Sequence, residues 1–188
     1  MKKIIWAFLF IPCMVLLASC EQEVTPQQNL DDVHVIIEIS AHSDPVKYEM
    51  DKKTDRLFVD RFIDSTMRYP VNYGFIPNTL SEDGDPVDVL VITPYPIISG
   101  SAIHIRPIAL LKMEDEAGLD NKILSVPVSE ITMQYDHVKT KDDIDPVLIK
   151  QIEDFFINYK KSELNKWVKV HGWEDTTAAQ REIIKSSK

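Results

Sequence analysis

The chain has 188 residues, 44% of them hydrophobic and 27% charged, a composition that excludes disordered and fibrous classes. Its formal net charge of −9 at pH 7 argues against nucleic acid as a partner. An anionic substrate would need bound cations to invert that charge locally.

The first nineteen residues differ from the rest. Lys2 and Lys3 precede an apolar run from Ile4 to Ala18, which ends in Leu17-Ala18-Ser19-Cys20 before the polar Glu21-Gln22-Glu23. The run is shorter than the ~20 residues a spanning helix needs, and its basic-apolar-small order is that of a secretory signal peptide. The Leu-Ala-Ser-Cys ending resembles the lipobox of bacterial lipoproteins, which implies lipidation at Cys20 and cleavage before it. The expectation is an exported lipoprotein held to a membrane only by its N-terminal lipid, at a periplasmic face or the cell surface. Residues 1–19 are then the leader, 20–30 a polar tether, and 31–188 one domain. Without the two leader lysines, 19 basic residues remain against 30 acidic ones, a charge of −11. Cys13 and Cys20 are the only cysteines, so the mature chain has no disulfide to rely on.

Residues 34–39, 46–50, 57–59, 87–92 and 101–113 are rich in β-branched and aromatic side chains and are separated by turn residues. Such strands in succession, with no helix between them, point to a barrel or sandwich rather than a parallel sheet. The period then changes. Ile152, Phe155, Phe156 and Tyr159 fall at i, i+3, i+4 and i+7 on one helix face, with Asp145 as N-cap and Pro146 at the first helical position. A second helix is predicted over 175–185. The fold class is mainly β with helices (α+β), a small β-barrel with helices packed outside it.

The sharpest motif is Asp83-Gly84-Asp85-Pro86-Val87-Asp88. Three carboxylates in six residues repel one another unless positive charge lies between them. Gly84 permits a tight turn, and Pro86 biases Asp85 towards an extended backbone, so the acids should point to a common centre. Hard divalent cations such as magnesium take oxygen ligands of this kind. Five fixed positions match by chance in a chain this long about once in ten thousand. The spacing differs from that of a calcium EF-hand, and no P-loop is present. His34, His42, His104, His137 and His171 show no ligand spacing and read as structural or surface residues, with no zinc motif among them.

This motif resembles the signature of the soluble family I inorganic pyrophosphatases, bacterial type. The resemblance extends through Ile37-Glu38-Ile39, Asp44-Pro45-Val46-Lys47-Tyr48-Glu49, Val59-Asp60-Arg61 and Tyr69-Pro70-Val71-Asn72-Tyr73-Gly74. It continues in Asp115-Glu116-Ala117-Gly118, Asp120-Asn121-Lys122, Phe155-Phe156, Tyr159-Lys160 and Lys166-Trp167-Val168-Lys169-Val170. It implies an OB-like five-stranded barrel flanked by helices, a homohexamer, and hydrolysis of pyrophosphate by a water activated between Mg2+ ions. Several Mg2+ ions per site are implied, with Mn2+ or other divalent ions as substitutes. By the same resemblance Asp83, Asp88 and Asp120 bind the tightest metal, and Asp88 bridges to a second. Asp115 and Asp120 hold a third, and Glu38 and Glu49 reach the metals directly or through water. Asp85 is the general base, and Lys47, Arg61, Tyr73, Lys122, Tyr159 and Lys160 grip the phosphate oxygens.

From residue pattern alone several of these positions have plainer readings. Tyr159 would be core, Lys160 a solvated helix-end lysine, and Glu114-Asp115-Glu116 a solvated acidic loop. Two other functions stay open, a hydrolase of nucleotides or polyphosphate and a non-catalytic binding lipoprotein on the same scaffold.

Overall fold

The computed structural model describes residues 29–187. In chain order it contains β1 (Val33–Ile39), β2 (Val46–Asp51), β3 (Arg56–Phe62), β4 (Asn72–Phe75), β5 (Asp88–Val91), β6 (Ala102–Asp115), β7 (Gly118–Leu119), β8 (Lys122–Pro127), α1 (Pro146–Asn158), β9 (Val168–Glu174) and α2 (Thr176–Ser186). Strands β1, β4, β5, β8 and β6 hydrogen-bond in that order, and β6 pairs back onto β1. Five strands therefore close a barrel, as the OB-like expectation required. The β2–β3 hairpin stands apart from this ring, while β7 and β9 add to β6.

Alternation along β5 sends its residues to two cores. Val89 and Val91 pack in the core that α2 covers, and Leu90 packs in the one that α1 covers. Both faces are thus buried, which is why such strands read as unbroken apolar runs. Each helix begins on an aspartate cap. Asp145 accepts from the Val147 N–H and Asp175 from the Ala178 N–H, both at 2.8 Å.

The expected strands and both helices are present, with ends shifted by a few residues. The sequence reading left out β4, β7, β8 and β9. Most pairings are antiparallel, but β5 and β8 run parallel, with Asp88 opposite Lys122. The intervening β6 brings the chain back, so no crossover helix is needed.

Two irregularities shape the cavity described below. In the β1–β4 ladder Ile37 faces Gly74 and Ile39 faces Tyr73, which leaves Glu38 as the extra residue of a bulge. The strands approach so closely there that a Cβ on Gly74 would lie 2.1 Å from the Ile36 carbonyl oxygen. In the β2–β3 hairpin, Lys47 pairs with Arg61 and Tyr48 with Val59, which makes Asp60 the extra residue.

The expected leader, Cys20 and most of the expected tether lie outside the described residues. At its inner end Leu30 is half-buried against the core under α2. Among the described residues no helix is long and apolar enough to cross a membrane. The buried apolar residues of α1 (Ile152, Phe155, Phe156) and α2 (Ala178, Ala179, Ile183) pack onto the barrel, while Val147, Ile157 and Ile184 are exposed.

Candidate active site

One cavity of about 560 Å³ gathers every expected metal, base and phosphate-gripping residue. Bulged β1 supplies Glu38, and the β2–β3 hairpin supplies Lys47, Glu49 and Arg61. Tyr73 comes from β4. The turn before β5 gives Asp83 and Asp85, and Asp88 opens that strand. Asp115 ends β6, Asp120 precedes β8, and Lys122 begins it. Tyr159 and Lys160 follow directly on α1.

Placement at strand and helix ends brings distant charges into contact. The Lys122 ammonium, only 2% exposed as a residue, pairs with both Asp88 and Asp120. Burial works against its charge, but the two carboxylates raise its pKa above that of a free lysine. Burial also raises the Asp88 pKa, while Lys122 pulls it down. Glu38 is pushed up to about 7 by burial, partly offset because it accepts a hydrogen bond from the Met50 N–H at 2.7 Å. Asp83 is raised by burial as well. Burial pushes the Tyr73 and Tyr159 hydroxyls well above the usual tyrosine range, so both keep their protons at neutral pH.

The Asp83 to Asp88 turn takes the shape its sequence suggested. Gly84 has φ of 93°, a region favoured by glycine, and Asp83 Oδ1 accepts from the Asp85 N–H at 3.0 Å. The expected common centre is corrected, however. Among the described residues no three of the acids stand close enough to share an ion as placed. Lys122 lies between Asp88 and Asp120, and Asp85 is exposed, 3.6 Å from the Lys52 ammonium. The carboxylates surround one cavity instead of meeting at one point, with Lys122 between Asp88 and Asp120, Lys160 on Asp115 and Lys47 on Glu49. The donor set still fits hard divalent cations. Its carboxylate oxygens suit Mg2+, and added positive charge would favour the ionised form of Glu38 and Asp88, which burial disfavours.

Lys47 donates to Glu49 at 2.9 Å, so the two share a face of β2. Lys160 is not a solvated helix end. It is buried and donates to the buried Asp115 at 2.5 Å. Tyr159 is core by burial, stacked on Phe155 with ring centres 5.0 Å apart, and it lines the cavity too.

Sequence reasoning assigned no role to two residues that hold Arg61. Asp60 accepts from its Nη1 at 2.6 Å, and Glu163 is ion-paired with its Nε at 3.2 Å. Asp60 stood within a quoted motif, but Glu163 carried no periodic signal. Glu116 and Lys166 also line the cavity and form an ion pair. The Glu116 carboxyl is lowered to about 2, where burial opposes and Lys166 and Lys160 favour the charge.

Comparison with known proteins bears on this site. The profile of the family described as "Inorganic pyrophosphatase" matches residues 35–188. An inorganic pyrophosphatase of Yersinia pestis is 58% identical over 156 residues, 83% of this chain and 89% of that protein. One of Escherichia coli K12 is 54% identical with the same coverage. Among solved structures, an inorganic pyrophosphatase of Coxiella burnetii superposes with a TM-score of 0.83 at 49% identity, covering 87% of this chain and 97% of that one. One from Helicobacter pylori gives 0.82 at 41% identity, covering 88% and 96%. The expected location, an exported protein anchored in a membrane, is overturned. The chain's likeness is to inorganic pyrophosphatases across its described fold, and no described helix can cross a membrane.

Proposed function

The chain belongs to the inorganic pyrophosphatase family, and from that premise we propose that its cavity hydrolyses pyrophosphate to two phosphates with Asp85 as general base. It is a metal-dependent phosphoanhydride hydrolase, with residues 31–188 proposed as its catalytic domain, around the family match to 35–188. What supports this conclusion is a single cavity in which carboxylates, ammonium groups and buried tyrosines alternate. Phosphoryl transfer asks mainly for positioning and for charge to offset the developing oxyanions, and that lining offers both.

Asp83, Asp88 and Asp120 would hold one magnesium ion, Asp88 would share a second, and Asp115 with Asp120 would hold a third. Glu38 and Glu49 would reach these ions directly or through water. When bound, such ions lower the pKa of water and offset phosphate charge. Asp85 takes the proton of the attacking water. Its exposed side chain sits on a turn fixed by Gly84 and Pro86, where water can reach it. Lys47 and Arg61 are register partners on the hairpin and grip phosphate oxygens from one wall. Lys122 and Lys160 do so from the barrel, and Tyr73 and Tyr159 act as neutral donors because burial keeps their protons on. No covalent enzyme intermediate is required.

Self-association belongs to the same proposal. A homohexamer is what the resemblance implies, and Tyr95 and Ile98, each 79% exposed, supply apolar surface for subunit contact. Sedimentation equilibrium tests it.

The purified protein should release phosphate from pyrophosphate only when Mg2+ is supplied. Asp85→Asn should lower kcat at least about 100-fold with Tm unchanged. Wild-type protein that binds pyrophosphate without turnover would make this a binding module. A nucleotide and a polyphosphate in the same assay test the alternative substrates.

A further inference from the structure

We propose that His34 and His104 form a surface site for a divalent transition-metal ion of the zinc class, on the seam that closes the barrel and apart from the catalytic cavity. The two histidines are register partners in the β1–β6 pair, the pairing that turns the sheet into a closed ring. Both are exposed, and neither lines the catalytic cavity. Side chains directly opposite on antiparallel strands point to the same face, so the imidazoles stand together there.

Their spacing suits chelation. The ring centres lie 5.5 Å apart, with the planes tilted by 37°. Two imidazoles bound to one ion at metal–nitrogen distances of about 2.0–2.1 Å, near the tetrahedral angle, have centres roughly 5.2 Å apart.

The arrangement around His104 supplies a second feature of metal-binding histidines. Its Nδ1 is 2.6 Å from Asp32 Oδ1. A carboxylate on one ring nitrogen fixes the tautomer and leaves Nε2 as the ligand atom, the relation commonly found behind metal-bound imidazoles. Asp32 is therefore a positioning residue, and water completes the coordination around two nitrogen ligands. His34 carries a lowered pKa, through burial and then through His104, and so offers a neutral ring near pH 7. Imidazole ligands select zinc, copper and nickel over magnesium, which keeps this site distinct in chemistry from the carboxylate-lined cavity.

The test uses the full chain in saturating Mg2+, with Zn2+ as the probe and the histidine ring signals followed by NMR. The His34 and His104 signals should shift together and saturate, and Tm should rise with Zn2+ because binding ties β1 to β6. His34→Gln and His104→Gln should each weaken Zn2+ binding at this site at least about tenfold, and Asp32→Asn by about 10–100-fold. Magnesium-dependent phosphate release should be unchanged in all three variants without zinc. Zn2+ that leaves the His34 and His104 signals unmoved, or binds His34→Gln as tightly as wild type, would overturn the site. Unchanged affinity in Asp32→Asn would overturn the orienting role.

Discussion

Asp88 and Lys122 face each other as the first pair of the parallel β5–β8 ladder, and the Lys122 ammonium reaches Asp120 as well. One buried cation thereby joins two strand starts and holds two of the carboxylates expected to bind metal. Removing one partner of such a buried group is costly, since the other charges stay behind unpaired. Lys122→Met should therefore lower stability by about 3–5 kcal/mol. Combined with Asp88→Asn it should lose less than the sum of the two single variants. Urea unfolding of the single and double variants measures both, and strict additivity would show that the pair does not interact.

Glu38 gives the pH dependence its sign. Its carboxyl is raised from 4.5 to about 7 in the folded protein, chiefly by burial. Between these values the folded state keeps a proton that the unfolded state releases, so stability must fall as pH rises through this window. The full loss is about 3 kcal/mol, complete above pH 7. In EDTA, Glu38→Gln should flatten the curve of stability against pH between 4.5 and 7, since the amide oxygen can still accept from Met50. An unaltered slope in the variant would show that another group titrates there.

Gly74 and Gly84 would each resist a side chain, for different reasons. Gly74→Ala forces a Cβ to 2.1 Å from the Ile36 carbonyl, and backbone cannot give way cheaply. A loss of about 3 kcal/mol, or roughly 6–12 °C in Tm, is expected. Gly84 has open space around its would-be Cβ but a φ of 93°. Gly84→Ala should cost only about 1–2 kcal/mol, while kcat falls because Asp83 and Asp85 are re-aimed. Equal Tm losses in the two variants would contradict this contrast.

Tyr159 tests core against substrate role in one residue. Tyr159→Phe keeps the ring stacked on Phe155 and removes only the hydroxyl. Stability should change by less than about 1 kcal/mol, and kcat/KM should fall about tenfold if the hydroxyl donates to phosphate. Unchanged kinetics would return Tyr159 to the core alone.

Local order carried much of the fold. Asp145-Pro146 with the 152, 155, 156, 159 stripe fixed α1, and β-branched runs fixed the longer strands. Strand β8 was missed because Lys-Ile-Leu-Ser-Val-Pro is buried at every position, on both faces, and shows no alternation. Strand β4 is only four residues long and is held by a close approach to β1 that depends on Gly74.

By itself the sequence singled out, through its motifs, the residues expected at the site, and one cavity collects all of them. Tertiary structure alone decided their state: that Lys160 is buried on Asp115, that Lys122 separates two aspartates, and that His34 meets His104. Those partners lie 45, 34 and 70 positions apart (104 minus 34 for the last); the end of α1 against the end of β6, the β5–β8 pairing and the β1–β6 pairing bring them together. Burial and charge pairing depend on these long-range contacts, and no local period encodes them.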